Sequence, residues 1–305
     1  IDELEELGYY NNTYLNQGLN VYTSFNQDYQ KVVEKSASEY TKDSKVETSS
    51  IVVEPYTSKI LAIIGGKDYA SSQFNRATQA NRQIGSTIKP LLYYLALENG
   101  FTPATTFLCE PTTFKLDDNS TYSPSNFNDK YAYKDVTLAQ AIAVSDNIFA
   151  VKTHLFLGTD NLASLIKKFG TKDVKANASL ALGTLNTNIY NLANMYNCLA
   201  SEGKYNHLYT IEKITNDAGK VLYQHEQEDK QLLEQDSCLE LSQLLTSTFN
   251  STFSTYLQAT MASYQLDNIN ACKTGSTDVD NLAVAYNPQV LVASWVGYDD
   301  NRKME

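Results

Sequence analysis

The residues that could do chemistry begin with a serine, Ser86, and a lysine three positions later, Lys89. Gly85 permits a tight turn and Pro90 suits the first turn of a helix, so Ser86 is predicted to lie at or near a helix N-terminus. One helical turn separates the two residues, and we expect the lysine amine to reach the serine hydroxyl. A base beside a nucleophile, at a helix end whose N–H groups favour developing negative charge, predicts an acyl-transfer site.

The Ser-x-x-Lys spacing is a weak signal by itself, because residue frequencies predict roughly one or two chance matches in a chain of this length. Two other matches occur here, at residues 164–167 within an amphipathic helical pattern and at residues 201–204 across a predicted helix end. Helix capping is the alternative interpretation of Ser86. Other motifs must therefore decide between the two interpretations.

A second motif, Ser145-Asp146-Asn147, lies between two predicted helices. The Ser145 hydroxyl could relay a proton, and the Asn147 amide could hold a peptide backbone because it both donates and accepts hydrogen bonds. An ordinary helix-capping loop is the alternative, and residues 24–26 show that Ser-x-Asn also occurs elsewhere in the chain.

The third motif, Lys273-Thr274-Gly275-Ser276-Thr277, is predicted to lie on or just after a strand. A random match to Lys-Thr-Gly has on the order of one chance in fifteen in such a chain. A lysine followed by hydroxyls suits the docking of a terminal carboxylate, and Gly275 allows another backbone to approach closely.

Composition and charge exclude several classes of function. The 305 residues carry a formal net charge of -11, which argues against a nucleic-acid partner because that would need a basic face. The four cysteines are too widely spaced for a zinc ribbon, and the sequence leaves them free or partly paired. The three histidines lie in no metal-binding or catalytic spacing, so we expect no metal and no other cofactor. No apolar run is long enough to span a membrane.

Hydrophobic patterns predict strands near both ends of the chain and helices between them. Residues 1–46 are interpreted as a connector and residues 47–305 as the main domain. Apolar runs at 51–53 and 60–64 predict a hairpin, and β-rich runs return after residue 269. The predicted fold is α/β (α+β), with an antiparallel sheet whose early and late strands meet, flanked by helices and with a helical subdomain inserted.

The helical patterns have recognisable ends. Thr137 is predicted to cap a helix through residue 144, a second helix is predicted to begin after Asn147 and run to about residue 157, and further helices are predicted at 159–169 and about 188–201. Ser237 with Glu240 resembles a capping box that would begin another helix.

The ordered set of three motifs is the signature of penicillin-recognising serine acyltransferases. Over nearly the whole chain, the sequence resembles the transpeptidase module of class A (bifunctional) penicillin-binding proteins. Residues 18–23 resemble the linker after that family's membrane-anchored glycosyltransferase domain. The other segments that carry the resemblance are residues 60–69, 73–80, 122–127, 136–138, 179–184 and 295–300.

This resemblance implies a β-lactamase/transpeptidase-like fold and a D,D-transpeptidase that cross-links peptidoglycan stem peptides. The implied partners are stem peptides ending in D-Ala-D-Ala, β-lactam antibiotics and an upstream glycosyltransferase domain. Carboxypeptidase activity is an expected side reaction. The implied location is the extracellular face of the membrane of a Gram-positive bacterium, with the only membrane contact through an N-terminal anchor outside this chain.

The same resemblance implies roles for the motif residues. Ser86 attacks the D-Ala-D-Ala bond, Lys89 is the base, and Ser145 with Lys273 passes the proton to the leaving amine. The backbone N–H groups of Ser86 and Ser276 form an oxyanion hole. The implied catalytic residues are Ser86, Lys89, Ser145, Asn147 and Lys273, and the implied substrate-binding residues are Thr274, Gly275, Ser276 and Thr277.

The sequence departs from the family's usual sequence at some positions, and two rival functions remain. Cys272 stands where the family often has glycine. Residues 250–270 lack the family's usual glycine-rich sequence, which leaves undefined one wall of the substrate groove that the resemblance implies. A serine β-lactamase is the nearest rival, but it needs a water-activating carboxylate, and no glutamate occurs between Asn147 and Ser201. A non-catalytic β-lactam sensor is the other alternative.

Overall fold

A computed structural model describes residues 1–116, 119–228, 230–264 and 266–304, so Glu305 at the end of the predicted main domain lies outside the described residues. The α-helices are α1 (Asp2–Glu6), α2 (Asn12–Gln17), α3 (Gln27–Thr41), α4 (Arg76–Gln79), α5 (Lys89–Glu98), α6 (Leu138–Val144), α7 (Asn147–Leu157), α8 (Thr159–Lys168), α9 (Ile189–Ala200) and α10 (Gln235–Leu245). The 3₁₀ turns are Gly85–Ile88, Phe127–Asp129, Ala178–Leu182, Thr246–Phe249 and Ser251–Phe253.

The strands form one central sheet and several small ones. They are β1 (Leu19–Thr23), β2 (Glu47–Glu54), β3 (Lys59–Ile64), β4 (Arg82–Gln83), β5 (Thr106–Cys109), β6 (Phe114–Lys115), β7 (Thr121–Tyr122), β8 (Lys134–Thr137), β9 (Asn186–Thr187), β10 (Lys204–Tyr205), β11 (Ile211–Asn216), β12 (Val221–Gln224), β13 (Lys230–Gln231), β14 (Ala271–Ser276), β15 (Asp280–Tyr286) and β16 (Leu291–Gly297).

The central sheet has five antiparallel strands in the order β14-β15-β16-β2-β3. Leu291 of β16 pairs with Val53 of β2, so the early and late strands meet as predicted. The predicted hairpin is β2 with β3, in which Val53 lies opposite Ile60. Strand β14 forms one edge of the sheet, so an extended peptide could add to its outer side.

Helices pack on both faces of this sheet. Helix α9 packs against β16, whose residues alternate between buried and half-buried positions. On the other face, Val33 of α3 packs against Val52, Leu61 and Ala62. Full burial of a Val or Leu side chain contributes about 1.5–3 kcal/mol, so these contacts hold α3 on the sheet. The boundary near residue 46 stays a prediction, although α3, from the N-terminal side of it, shares a small core with the sheet.

Helix α5 runs through the core of the helical subdomain. Eight of its ten residues are buried, as expected for a helix that is apolar on all sides and packs against other helices all round. Helix α6 follows the predicted bounds, and the Thr137 hydroxyl caps it by accepting the Gln140 N–H. Helix α7 begins at Asn147, one residue earlier than predicted, and ends at Leu157 as predicted. The helical insertion between the early and late strands is therefore confirmed.

The predicted capping box of Ser237 and Glu240 is wrong. Helix α10 begins at Gln235, and its N-cap residue is Glu234, three positions before the predicted N-cap residue Ser237. The Ser237 hydroxyl hydrogen-bonds the carboxylate of Glu98 at the end of α5 instead. Such hydroxyls bond whichever partner the fold supplies, and here a tertiary contact replaces the local one.

Candidate active site

Ser86 lies in the 3₁₀ turn Gly85–Ile88, directly before α5. Gly85 has a φ of +53°, in the left-handed region that glycine adopts without steric cost. The Gly85 N–H donates to the carbonyl of Gly183 at 3.1 Å, which fixes the turn against a neighbouring segment. Ser86 is therefore held at the start of a buried helix, as predicted, and its side chain is only half-buried.

Lys89 is fully buried one turn further along the chain. Its amine donates to Asn147 Oδ1 at 2.7 Å, to the Ser145 carbonyl at 2.8 Å and to Ser145 Oγ at 3.3 Å. Within the described part of the chain, the Ser86 hydroxyl has no hydrogen-bond partner, so the expected contact between Lys89 and Ser86 is not made in this arrangement. The amine instead joins the first motif to the second.

The surroundings of Lys89 favour its neutral form. Burial and the nearby cation Lys273 lower the pKa of Lys89 well below its ordinary value, against an opposing effect of the Asp146 carboxylate. Desolvation disfavours the ammonium because a charge is costly away from water. A neutral amine can accept a proton from a serine, so the burial supplies what a base needs.

Ser145 connects the two lysines. It ends α6 with a φ of +59°, and its hydroxyl accepts hydrogen bonds from Lys273 Nζ at 2.8 Å and Lys89 Nζ at 3.3 Å. Lys273 is fully buried on β14, and burial lowers its pKa to about 7. The three groups form a continuous path along which a proton could move.

Cys272 does not disturb this arrangement. Burial raises the pKa of its thiol to about 11, so the thiol is uncharged near neutral pH. A thiolate there would raise the pKa of Lys273, but a neutral thiol has no such effect. All four cysteines are buried and free, which resolves the question that the sequence left open.

Asn147 is the first residue of α7, and its side chain is already engaged. Its Oδ1 accepts from Lys89 Nζ at 2.7 Å, and its Nδ2 donates to the Ser125 carbonyl at 2.7 Å. A substrate amide would therefore exchange with at least one of these partners. This exchange is feasible because the Asn147 side chain lines the same cavity as Ser86.

The third motif lies on the edge strand β14. Thr274 and Ser276 face the groove, whereas a Cβ on Gly275 would lie 2.6 Å from the Ile84 carbonyl, so the close approach of the two segments requires glycine there. The Thr277 hydroxyl accepts backbone N–H groups from the following turn. Substrate binding by Thr277 stays a prediction.

Ser86 borders a groove of about 970 Å³, which we call the active-site groove. The side of β14 forms one part of its lining and residues 254–260 another, so this segment is the wall that the sequence left undefined. Lys89 and Lys273 are buried and do not border the groove. The predicted site residues that line it are Ser86, Ser145, Asn147, Thr274 and Ser276.

Sequence reasoning missed the role of Asp146 in the centre of the second motif. Its fully buried carboxylate accepts hydrogen bonds from Tyr256 OH at 2.7 Å, Asn126 Nδ2 at 2.7 Å and Cys109 Sγ at 3.0 Å. These partners lie 110, 20 and 37 residues away in sequence, so no local pattern could reveal them. The cluster ties the groove wall at Tyr256 to the loop that carries Ser145 and Asn147.

In the described ranges, no group of three or more His, Cys, Asp or Glu side chains could hold a metal ion. Among the described residues, no helix has the length and apolar character needed to cross a membrane.

The two lysines predict how acylation depends on pH. On the predicted roles, Lys89 would act as a base only when neutral, above its lowered pKa, and Lys273 would attract a carboxylate only when protonated, below its pKa of about 7. The second-order rate of acylation by a labelled penicillin, measured from about pH 5 to pH 9, should rise and then fall, with the alkaline limb near pH 7. Lys273→Met should abolish the alkaline limb in the remaining rate, and an unchanged limb would contradict this assignment.

Residues 48–304 match the family model described as the penicillin binding protein transpeptidase domain. The chain therefore belongs to the penicillin-binding protein transpeptidase family, as the motifs predicted. It is 41% identical over 293 residues to penicillin-binding protein 2D of Bacillus subtilis (strain 168), covering 94% of this chain and 42% of that protein. It is 34% identical over 263 residues to penicillin-binding protein 1A of Aquifex aeolicus (strain VF5), covering 85% of this chain and 35% of that protein.

The chain thus spans less than half of the length of these curated relatives. Among solved structures, PonA1 of Mycobacterium tuberculosis in complex with penicillin V is similar, with a TM-score of 0.82 and 21% identity, covering 100% of this chain and 84% of that one. At this identity the likeness shows the fold alone. The predicted β-lactamase/transpeptidase-like fold is confirmed.

Proposed function

We propose that the chain is a serine D,D-transpeptidase module that cross-links peptidoglycan stem peptides and is acylated by β-lactams. The observation that carries the proposal is the contact of Ser145 Oγ with both buried lysine amines, next to the groove that Ser86 borders. This arrangement supplies a nucleophile, a base and a route for the proton. Membership of the transpeptidase family supports the same chemistry.

In the proposed acylation step, Ser86 Oγ attacks the carbonyl between the two D-alanines as Lys89 takes its proton. The proton then passes through Ser145 to the leaving amine, and the terminal D-alanine departs. A Cβ on Gly85 would lie 3.4 Å from Ser276 N, so the Ser276 backbone lies against the turn that carries Ser86. This closeness supports an oxyanion hole built from the N–H groups of these two serines.

The edge strand β14 suits an extended peptide. A peptide chain that pairs with its outer side would place its terminal carboxylate near the hydroxyls of Thr274 and Ser276. The cation of Lys273 below them attracts that carboxylate. Transfer is completed when an amine of a neighbouring stem attacks the acyl-enzyme, and attack by water instead gives the carboxypeptidase side reaction.

The lifetime of the acyl-enzyme separates this proposal from a β-lactamase. None of the residues described as lining the groove is Asp or Glu, and Asp146 is fully buried with both carboxylate oxygens already bonded. Without a carboxylate to activate water, a penicillin adduct should persist for minutes or longer. This lifetime corresponds to an activation free energy for deacylation of roughly 21 kcal/mol, whereas the rapid turnover of a β-lactamase corresponds to about 14 kcal/mol. Intact-mass spectrometry with excess penicillin should show one stable adduct. Many equivalents hydrolysed, with return to the unmodified mass, would identify a β-lactamase.

Release of D-alanine and acyl transfer distinguish a transpeptidase from a β-lactam sensor. A transpeptidase module should release D-alanine from a donor peptide ending in D-Ala-D-Ala and transfer the acyl group to an added amine. Persistent penicillin labelling without either activity would favour the sensor.

We also infer that the natural protein is longer and carries a membrane anchor and a glycosyltransferase domain before residue 1. The greater length of the relatives and the resemblance of residues 18–23 to a linker support this inference. The module would then act on the extracellular face of the membrane, and we propose a Gram-positive bacterium as its source. The sequence of the complete gene tests the inference, and a gene without a membrane-spanning segment would refute it.

A further inference from the structure

The active-site groove has one charged side chain among the residues described as lining it, and that residue is Lys130. The side chain is exposed. Among the described residues, Lys130 takes part in none of the ion pairs. The protein as a whole carries a net charge of -11, so a cation at this position is not a consequence of a generally basic surface. The groove therefore offers an unengaged positive charge to whatever binds there.

An aromatic ring accompanies this charge. Phe127 is 73% exposed and lines the same groove. Between the two residues, Asn128 and Asp129 adopt φ values of +54° and +52°, a left-handed conformation uncommon for residues other than glycine. Phe127 and Lys130 both border the groove, whereas Asp129 does not. The turn thus presents an apolar surface and a cation to a ligand.

The turn is tied to the catalytic residues by short hydrogen bonds. Directly before Phe127, the Asn126 side chain accepts the Asn147 N–H at 2.7 Å and donates to Asp146 at 2.7 Å. The carbonyl of Ser125 accepts from Asn147 Nδ2 at 2.7 Å. The chain that leads into Phe127 therefore has a fixed position relative to the second motif, which favours a specificity site at this turn.

Resting on the proposed transpeptidase function, we propose that Phe127 and Lys130 select the donor by the residue that precedes D-Ala-D-Ala. They favour a long aliphatic side chain that ends in a carboxylate. The methylenes pack on the Phe127 ring and the carboxylate pairs with the Lys130 ammonium. The terminal carboxylate of the donor is assigned to β14, so Lys130 serves a second anionic group. A side chain of the same length that ends in an ammonium is disfavoured by repulsion.

Three synthetic donors test this selection. Each has a residue with a side chain of lysine length before D-Ala-D-Ala, ending in a carboxylate (aminopimelate), in the corresponding carboxamide, or in an ammonium (lysine). The readout is kcat/KM for release of D-alanine. We expect the unchanged protein to prefer the carboxylate donor to the carboxamide donor by about fivefold, and to the ammonium donor by more, as for a partly exposed ion pair.

Four variants separate the effect of the Lys130 charge from effects of substitution on folding. In Lys130→Met, the kcat/KM values of the carboxylate and carboxamide donors should lie within about twofold of each other. In Lys130→Glu, the ammonium donor should have the highest kcat/KM. Lys134→Met removes a nearby exposed lysine that does not line the groove, and it should keep the original preference. Phe127→Ala should slow all three donors alike, because they share the aliphatic part.

The outcomes separate this inference from the function on which it rests. Equal rates for the three donors in the unchanged protein, or a preference that survives Lys130→Met, would refute the assignment of Lys130 while D-alanine release still supports the transpeptidase. Failure of all three donors to release D-alanine would refute the proposed function and this inference with it. Covalent penicillin labelling of Ser86 in each variant shows that the site has folded.

Discussion

Ser86→Ala is expected to abolish covalent labelling by penicillin while leaving the melting temperature nearly unchanged. Alanine cannot form the acyl-enzyme, because its methyl group has no nucleophile. The free energy of unfolding should change little, because the Ser86 side chain is half-buried and no described residue hydrogen-bonds its hydroxyl. Gel fluorescence with a labelled penicillin measures the first effect, and thermal unfolding followed by circular dichroism measures the second.

Ser164→Ala is the matched control, because Ser164 begins another Ser-x-x-Lys match but is exposed in α8. This variant should label like the unchanged protein. Peptide mapping should place the adduct on Ser86. An adduct mapped to any other serine, or full labelling of Ser86→Ala, would overturn the assignment of the nucleophile.

Substitution of Lys89 is expected to have the next largest effect. Lys89→Met keeps most of the side-chain volume but removes the amine, and the rate of penicillin acylation should fall by about 10²–10⁴-fold, the usual contribution of a positioned base. The free energy of unfolding should also fall, by about 1–3 kcal/mol, because Asn147 Oδ1 and the Ser145 carbonyl lose a buried donor. Stopped-flow acylation and denaturant unfolding measure the two effects separately.

Lys89→Arg distinguishes a base from a fixed cation at this position. Arginine stays protonated in proteins, so it places a fixed positive charge at this position and cannot accept a proton. Acylation should be as slow in Lys89→Arg as in Lys89→Met, whereas recovery of most of the rate would indicate that a cation is what the site needs. Lys167→Met, in the exposed match on α8, should leave the rate unchanged.

The sequence by itself determined the three motifs, their order and the elements that carry them. Gly85 and Pro90 are local signals of a turn and a helix start, and Thr137 is a local cap, so the structure agrees with the sequence at these positions. Strands and helices with regular apolar spacing were predictable for the same reason, since their periodicity is contained in a few consecutive residues. The antiparallel sheet followed from the order of these elements along the chain.

Local patterns failed where a side chain had a choice of partners. Ser237 had the spacing of a capping box but bonds Glu98, which lies 139 residues away in sequence. Lys89 was expected to reach Ser86, yet its amine bonds residues 56 and 58 positions further on. In both cases the fold brought a competing partner that the spacing could not show.

Only the tertiary structure decided the protonation and the surroundings of the site. The lowered pKa values of Lys89 and Lys273 come mainly from burial, which depends on segments from the whole chain. The bonds of Asp146 to Tyr256 and Cys109, and the position of Lys130 on the groove, likewise depend on how distant loops meet. Residue types and spacing are local properties of a sequence, whereas desolvation and hydrogen-bond partners are properties of the packed chain. For this reason the sequence indicated the candidate reactive residues, and the fold decided their burial and their hydrogen-bond partners.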